Sequence, residues 1–208
     1  MQSNIEQILK EYKNQYLKIF KNLYPSEGSV GFTERNLSVN FCNAFEKVHR
    51  EACAWYEVSF EESSKYHFDA ILVNPPTKEV FIIEAKRFSD PSGKLTSLGN
   101  DISRILEMDN KNRILNKLYD KDVANYTTYG VVLADVWEES DVKKDLSRLW
   151  REKNFFDNDY VKSKLNLTEE QLNIISKERV MEILDFKDQV ISKSISNDYK
   201  LLTCIWKL

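Results

Sequence analysis

The sequence predicts a mixed α/β fold, with a central sheet flanked by helices. Three observations lead there. Residues 67–73 and 80–86 are two apolar runs separated by the Pro-Pro turn of residues 74–79, the pattern of two buried strands joined tightly. Residues 129–137 form a third apolar run, continuous enough to be a central strand covered on both faces. Around these runs, apolar residues recur at the helical spacing of three and four.

The elements follow in order. Ile5, Ile8, Leu9, Tyr12, Tyr16, Ile19, Phe20 and Leu23 predict an amphipathic helix over 5–23, ended near Pro25 and Gly28. Leu37, Phe41, Ala44, Phe45, Val48 and Ala52 predict a second over 34–52, with Thr33 placed to cap it. Alternation over 54–60 predicts a strand, and the polar residues 61–65 a hairpin turn. The composition of residues 87–94 reads as a loop, followed by a helix over 98–119 with Leu98, Ile102, Ile105, Leu106, Ile114 and Leu118 inward. Residues 141–152 predict a helix facing inward through Val142, Leu146, Leu149 and Trp150. Residues 157–182 read as mainly helical, with Thr168-Glu169-Glu170-Gln171 as a capping box, and residues 199–206 as a closing strand.

A chain of 208 residues is enough for one substantial domain, read as 1–208 with a core over 34–137 and an extension over 138–208 for recognition, packing or oligomerisation. Cys42, Cys53 and Cys204 are too few and too scattered for a disulfide framework or a zinc site. A reducing, cytoplasmic setting is expected. No segment reads as a targeting sequence or approaches membrane-spanning length, so no membrane partner is expected. The net charge of −3 runs weakly against a nucleic-acid partner, because non-specific affinity comes largely from neutralising phosphates. A cleft that holds cations must nevertheless itself be acidic.

The chemistry lies in the two paired runs. Burying Asp69, Glu84 and Lys86 among apolar neighbours is costly unless the charges are paired or bind a metal. Residues two apart in a strand share a face, so Glu84 and Lys86 project together. An antiparallel hairpin brings Asp69 beside Glu84. The two carboxylates with the Ala85 carbonyl form a hard-oxygen set suited to Mg2+ or Mn2+. Lys86 is placed to orient or deprotonate a water, or to neutralise charge developing on a phosphate.

This arrangement, a helix carrying Glu46, then strands carrying Asp69 and Glu84-Ala85-Lys86, then a helix and a strand, resembles the PD-(D/E)xK nuclease superfamily over residues 34–137. The resemblance implies a restriction-endonuclease-like fold, with Asp69 and Glu84 as metal-binding carboxylates and Lys86 as the catalytic lysine. It also implies that Glu46 is the helical glutamate some members add to the metal site. Phe68 stands where the motif's proline would be. The activity implied is metal-dependent hydrolysis of DNA, double-stranded and cut internally, by a single inverting displacement through a metal-activated water. Arg87, Lys94 and Arg104 follow the motif and are expected to meet backbone phosphates. Cutting both strands would be easiest for a homodimer. The alternatives are a catalytically silent nucleic-acid-binding or assembly module on the same fold, and a nuclease for RNA or single strands.

Overall fold

A computed structural model describes residues 2–23, 33–59, 67–118, 122–187 and 198–208. Among the described residues, six strands form one mixed sheet: β1 (Cys53–Val58), β2 (Phe68–Asn74), β3 (Glu79–Arg87), β4 (Thr127–Trp137), β5 (Arg179–Leu184) and β6 (Tyr199–Lys207), in the order β1-β2-β3-β4-β6-β5. The β3–β4 pair is parallel and the other four are antiparallel. Residues 138–208 therefore contribute two strands to the same sheet as the motif.

Helices cover both faces, so β4 is buried along nearly its whole length. On one face lie α1 (Gln2–Asn22) and α2 (Glu34–Val48). The other carries α3 (Pro91–Leu106), α4 (Met108–Leu115), α5 (Asp141–Arg151), α6 (Asp159–Leu165) and α7 (Glu169–Lys177). The α1 stripe packs as its spacing predicts, with Ile5, Ile8, Leu9, Tyr12, Tyr16 and Phe20 buried; Leu23, just past the helix, is 66% exposed. The β2–β3 connection is one 3-10 turn over Pro75–Thr77, closed by Lys78 at φ 52°. The hairpin turn predicted over 61–65 lies outside the described residues. Among the described residues, no helix is long and apolar enough to cross a membrane.

Three local expectations are corrected. The helix predicted over 98–119 starts earlier, at Pro91 with Asp90 as its N-cap, and breaks at Glu107 into α3 and α4. Proline suits the first turn because its missing N–H would have no helical partner there. The mainly helical reading of 157–182 gives way to β5 at Arg179, where pairing with β6 outweighs a locally ambiguous pattern. Val142, expected inward, is 47% exposed, leaving Leu146 and Trp150 to anchor α5. The capping box is present: Thr168 accepts from the Gln171 amide at 3.2 Å and the Gln171 side chain accepts from the Thr168 amide at 2.9 Å.

The feature that positions the site is α3. It leaves the end of β3 and returns across the sheet, burying Leu95, Leu98, Ile102 and Ile105, each worth about 1.5–3 kcal/mol. Gly99 lets it approach α6 closely, since a Cβ there would stand 1.9 Å from the Leu165 carbonyl oxygen. Asp101 and Arg104 thereby arrive over β3.

Candidate active site

Asp69 is the second residue of β2, and Glu84, Ala85 and Lys86 lie near the end of β3. The β2–β3 ladder runs through Ala70 opposite Ile83, and the next step of that register sets Asp69 against Glu84. There the ladder stops, and the Ala85 amide donates instead to Asp69 Oδ2 at 2.6 Å. The two carboxyl groups lie close enough to shift each other's titration. Glu84 and Lys86 are 2% and 8% exposed, on the sheet face that α3 covers. The Ala85 side chain packs on the opposite face.

The acids and bases of this cluster are densely paired. One terminal nitrogen of Arg104, Nη2, is 2.8 Å from Glu84 Oε1 and 2.5 Å from Asp101 Oδ1. Lys86 Nζ is ion-paired with Asp101 Oδ2. At the edge of the cluster Glu34, the first residue of α2, accepts from Lys94 Nζ at 2.6 Å and from the Arg87 amide at 3.1 Å. Burial pushes the Asp69 carboxyl up, against the pull of the Ala85 amide and Lys86. Glu84 is held well above the usual carboxylate range, first by burial and then by Asp101 and Asp69. For Lys86 burial works against the ammonium, but Asp101, Glu84 and Glu34 outweigh it and its pKa rises. Lys86 is therefore a firm cation at neutral pH. Lys94 and the Arg87 amide outweigh burial at Glu34, which stays below its ordinary value.

Asp69, Glu84 and Lys86 thus converge as the sequence pattern requires. Glu46 does not join them. Its Oε1 accepts from the Ala54 amide at 2.9 Å, tying α2 to β1. The acid that α2 brings toward Asp69 and Lys86 is Glu34, twelve residues and about 18 Å of helix away. The three side chains expected to meet phosphates each have a partner within the protein. Arg104 lies inside the cluster, bound to Glu84 and Asp101, and Lys94 is paired with Glu34. Arg87 is half-buried and lends its charge to Asp135 on β4. Asp101 sits in mid-helix and is buried. The sign that could have found it is a charge interrupting the apolar stripe between Leu98 and Ile102. Glu34 carries no such sign, because an acid in the first turn is what any helix favours.

Among the described residues, no group of three or more His, Cys, Asp or Glu side chains is placed to hold a metal ion. Magnesium does not require one, since it is commonly held by one or two carboxylates and keeps water or substrate oxygens in its remaining positions. Asp69 and Glu84, two adjacent acids each pushed up chiefly by burial, with Asp69 adding to the rise at Glu84, fit that demand. The chain matches no family model, no curated protein and no solved structure.

Proposed function

We propose that the protein is a divalent-metal-dependent nuclease that hydrolyses phosphodiester bonds in DNA, with double-stranded DNA cut internally. The observation that carries this reading is the meeting of Asp69 and Glu84 at the point where β2 parts from β3, with the Lys86 ammonium on the same face. Phosphodiester chemistry rests on those residues. The preference for DNA, and for the restriction-endonuclease-like version of this mixed α/β architecture, rests on the PD-(D/E)xK resemblance.

Asp69 and Glu84 would hold the ion. Magnesium or manganese bound there would polarise the scissile phosphate and lower the pKa of a water. Lys86 keeps its proton, so it acts as a fixed positive charge that orients the nucleophile and stabilises charge on the phosphate oxygens, not as a base. Asp101 holds the Lys86 amine in place through its ion pair. Glu34 takes the position expected of Glu46, an acid at the start of α2 within electrostatic reach of Asp69 and Lys86.

The test is a cleavage assay on linear, circular, branched and single-stranded DNA and on RNA, with and without Mg2+ or Mn2+. Cleavage of double-stranded DNA that requires metal and disappears in Asp69→Ala and Lys86→Ala is expected, with both variants retaining wild-type circular dichroism. Wild-type rates in both variants would overturn the assignment. A second reading, the catalytically silent binding module, is favoured by one observation: Arg104 and Lys86 already give Glu84 and Asp101 counter-ions without a metal. It requires DNA binding that is indifferent to metal and to Lys86→Ala.

A further inference from the structure

We propose that Arg104 is a resident counter-cation that occupies Glu84 until a metal ion arrives, so that its departure sets the metal affinity of the site. This rests on the reading of Asp69 and Glu84 as the metal ligands.

The geometry is that of a competitor. Glu84 is 2% exposed, and a carboxylate so buried needs a partner to carry charge. Its partner is a single guanidinium nitrogen shared with Asp101, 2.8 Å from one acid and 2.5 Å from the other. An ion coordinated by Glu84 and a guanidinium bound to the same carboxylate compete for it, and apparent metal affinity falls by the fraction of molecules in which Arg104 holds on.

Arg104 also has somewhere to go. Its side chain is 24% exposed while those of Glu84 and Asp101 are 3% and 7% exposed, so it reaches the site from the solvent rim. Asp101 gives it a second anchor, and Lys86 keeps Asp101 paired. Arg104 can therefore release Glu84 without leaving Asp101 an isolated buried charge. The Phe68 ring, 5.9 Å from the Arg104 guanidinium carbon, offers a further resting surface. Once turned outward the guanidinium stands at the mouth of the site, where a phosphate would meet it. The contact expected of Arg104 with nucleic acid then belongs to the metal-loaded state.

Direct Mn2+ binding to the full chain without nucleic acid tests this, by paramagnetic resonance of the free ion, for wild type, Arg104→Gln, Arg104→Lys and the control Glu84→Gln. Arg104→Gln is expected to bind Mn2+ roughly tenfold more tightly or better. Arg104→Lys, which keeps the charge, stays near wild type, and Glu84→Gln loses binding. A merely structural Arg104 would weaken binding in both Arg104 variants. Unchanged or weaker binding in a folded Arg104→Gln, beside a wild type that does bind, overturns the proposal alone. Absence of Mn2+ binding in every protein overturns it together with the metal-site reading. If Arg104→Gln does not fold, guanidinium NMR of the wild type decides. The Arg104 signal is expected to move from ion-paired to solvent-exposed as Mg2+ saturates the site, and a signal indifferent to saturating Mg2+ refutes the idea.

Discussion

Glu84 and Asp135 are equally buried, each 2% exposed, on adjacent parallel strands but on opposite faces of the sheet. Glu84 is surrounded by ions: Arg104 contacts it, and Asp69, Asp101 and Lys86 lie around it. Asp135 is surrounded by phenols. Tyr199 donates to its Oδ2 at 3.0 Å, Tyr12 and Tyr16 of α1 pack nearby, and the charges that act on it are Arg87 on β3 and Glu34 at the start of α2. Burial raises the Asp135 pKa to about 7, so below neutral pH this acid is held mainly in its protonated form. The difference teaches how to distinguish two kinds of buried acid. One whose neighbours are hydroxyl groups is part of the packing; one held between cations and other acids is, on the proposed reading, where a metal ion would replace a cation.

The largest expected effect is on the ionic side. Lys86→Ala or Glu84→Gln should lower metal-dependent cleavage by about 10²–10⁴ in protein that still folds by circular dichroism, whereas Asp135→Asn should leave the rate near wild type. Equal losses in all three would erase the contrast.

Asp135 predicts a pH effect of definite sign. Its folded pKa of about 7 exceeds the ordinary 3.8, so the stability it contributes is complete below about 4 and is lost as pH rises through about 7. Asp135→Asn should therefore gain on wild type by on the order of 2–4 kcal/mol between pH 5 and pH 8, read from urea midpoints. Parallel curves for the two proteins would show that Asp135 is ionised in the fold.

Gly99→Ala should cost about 1–3 kcal/mol, since α3 must back away from the Leu165 carbonyl. Because α3 carries Asp101 and Arg104, Mn2+ affinity should change with it. Lower stability with unaltered affinity would separate the helix contact from the site. The smallest effect belongs to Glu46→Ala, which removes the acceptor of one backbone amide and should cost about 1 kcal/mol without changing the cleavage rate. Glu34→Ala should slow cleavage, and a reversed outcome for this pair would return the helical acid to Glu46.

What was legible in the sequence were charges set inside strong periodic patterns. Asp69, Glu84 and Lys86 stand out because each interrupts a run that is otherwise apolar, and antiparallel register then places the acids side by side. Asp101 carries the same signature in a helix, but it is readable only once the helix is started at Pro91; a start at 98 puts it in the first turn, where an acid is unremarkable. Glu34 and the true partner of Glu46 are not readable at all, because the packing of α2 against β1 and β3 decides which end of that helix meets the site. β5 is illegible for a similar reason. Its apolar residues fit a helix as well as a strand, and the choice is made by β6, where Val180 faces Ile205. The capping box over 168–171 needed nothing beyond four consecutive residues, and it was plain.

The place of β6 between β4 and β5 has a consequence for biogenesis. Until residues 199–207 have left the ribosome, β4 has one long side without its neighbour and β5 lacks the strand it pairs with. The nascent chain then displays an open apolar edge, the kind of surface that recruits chaperones or other unfinished chains. The half of the sheet that buries Trp150 and Trp206 consequently closes only after translation has passed β6, well after the segment bearing Asp69, Glu84 and Lys86 has emerged.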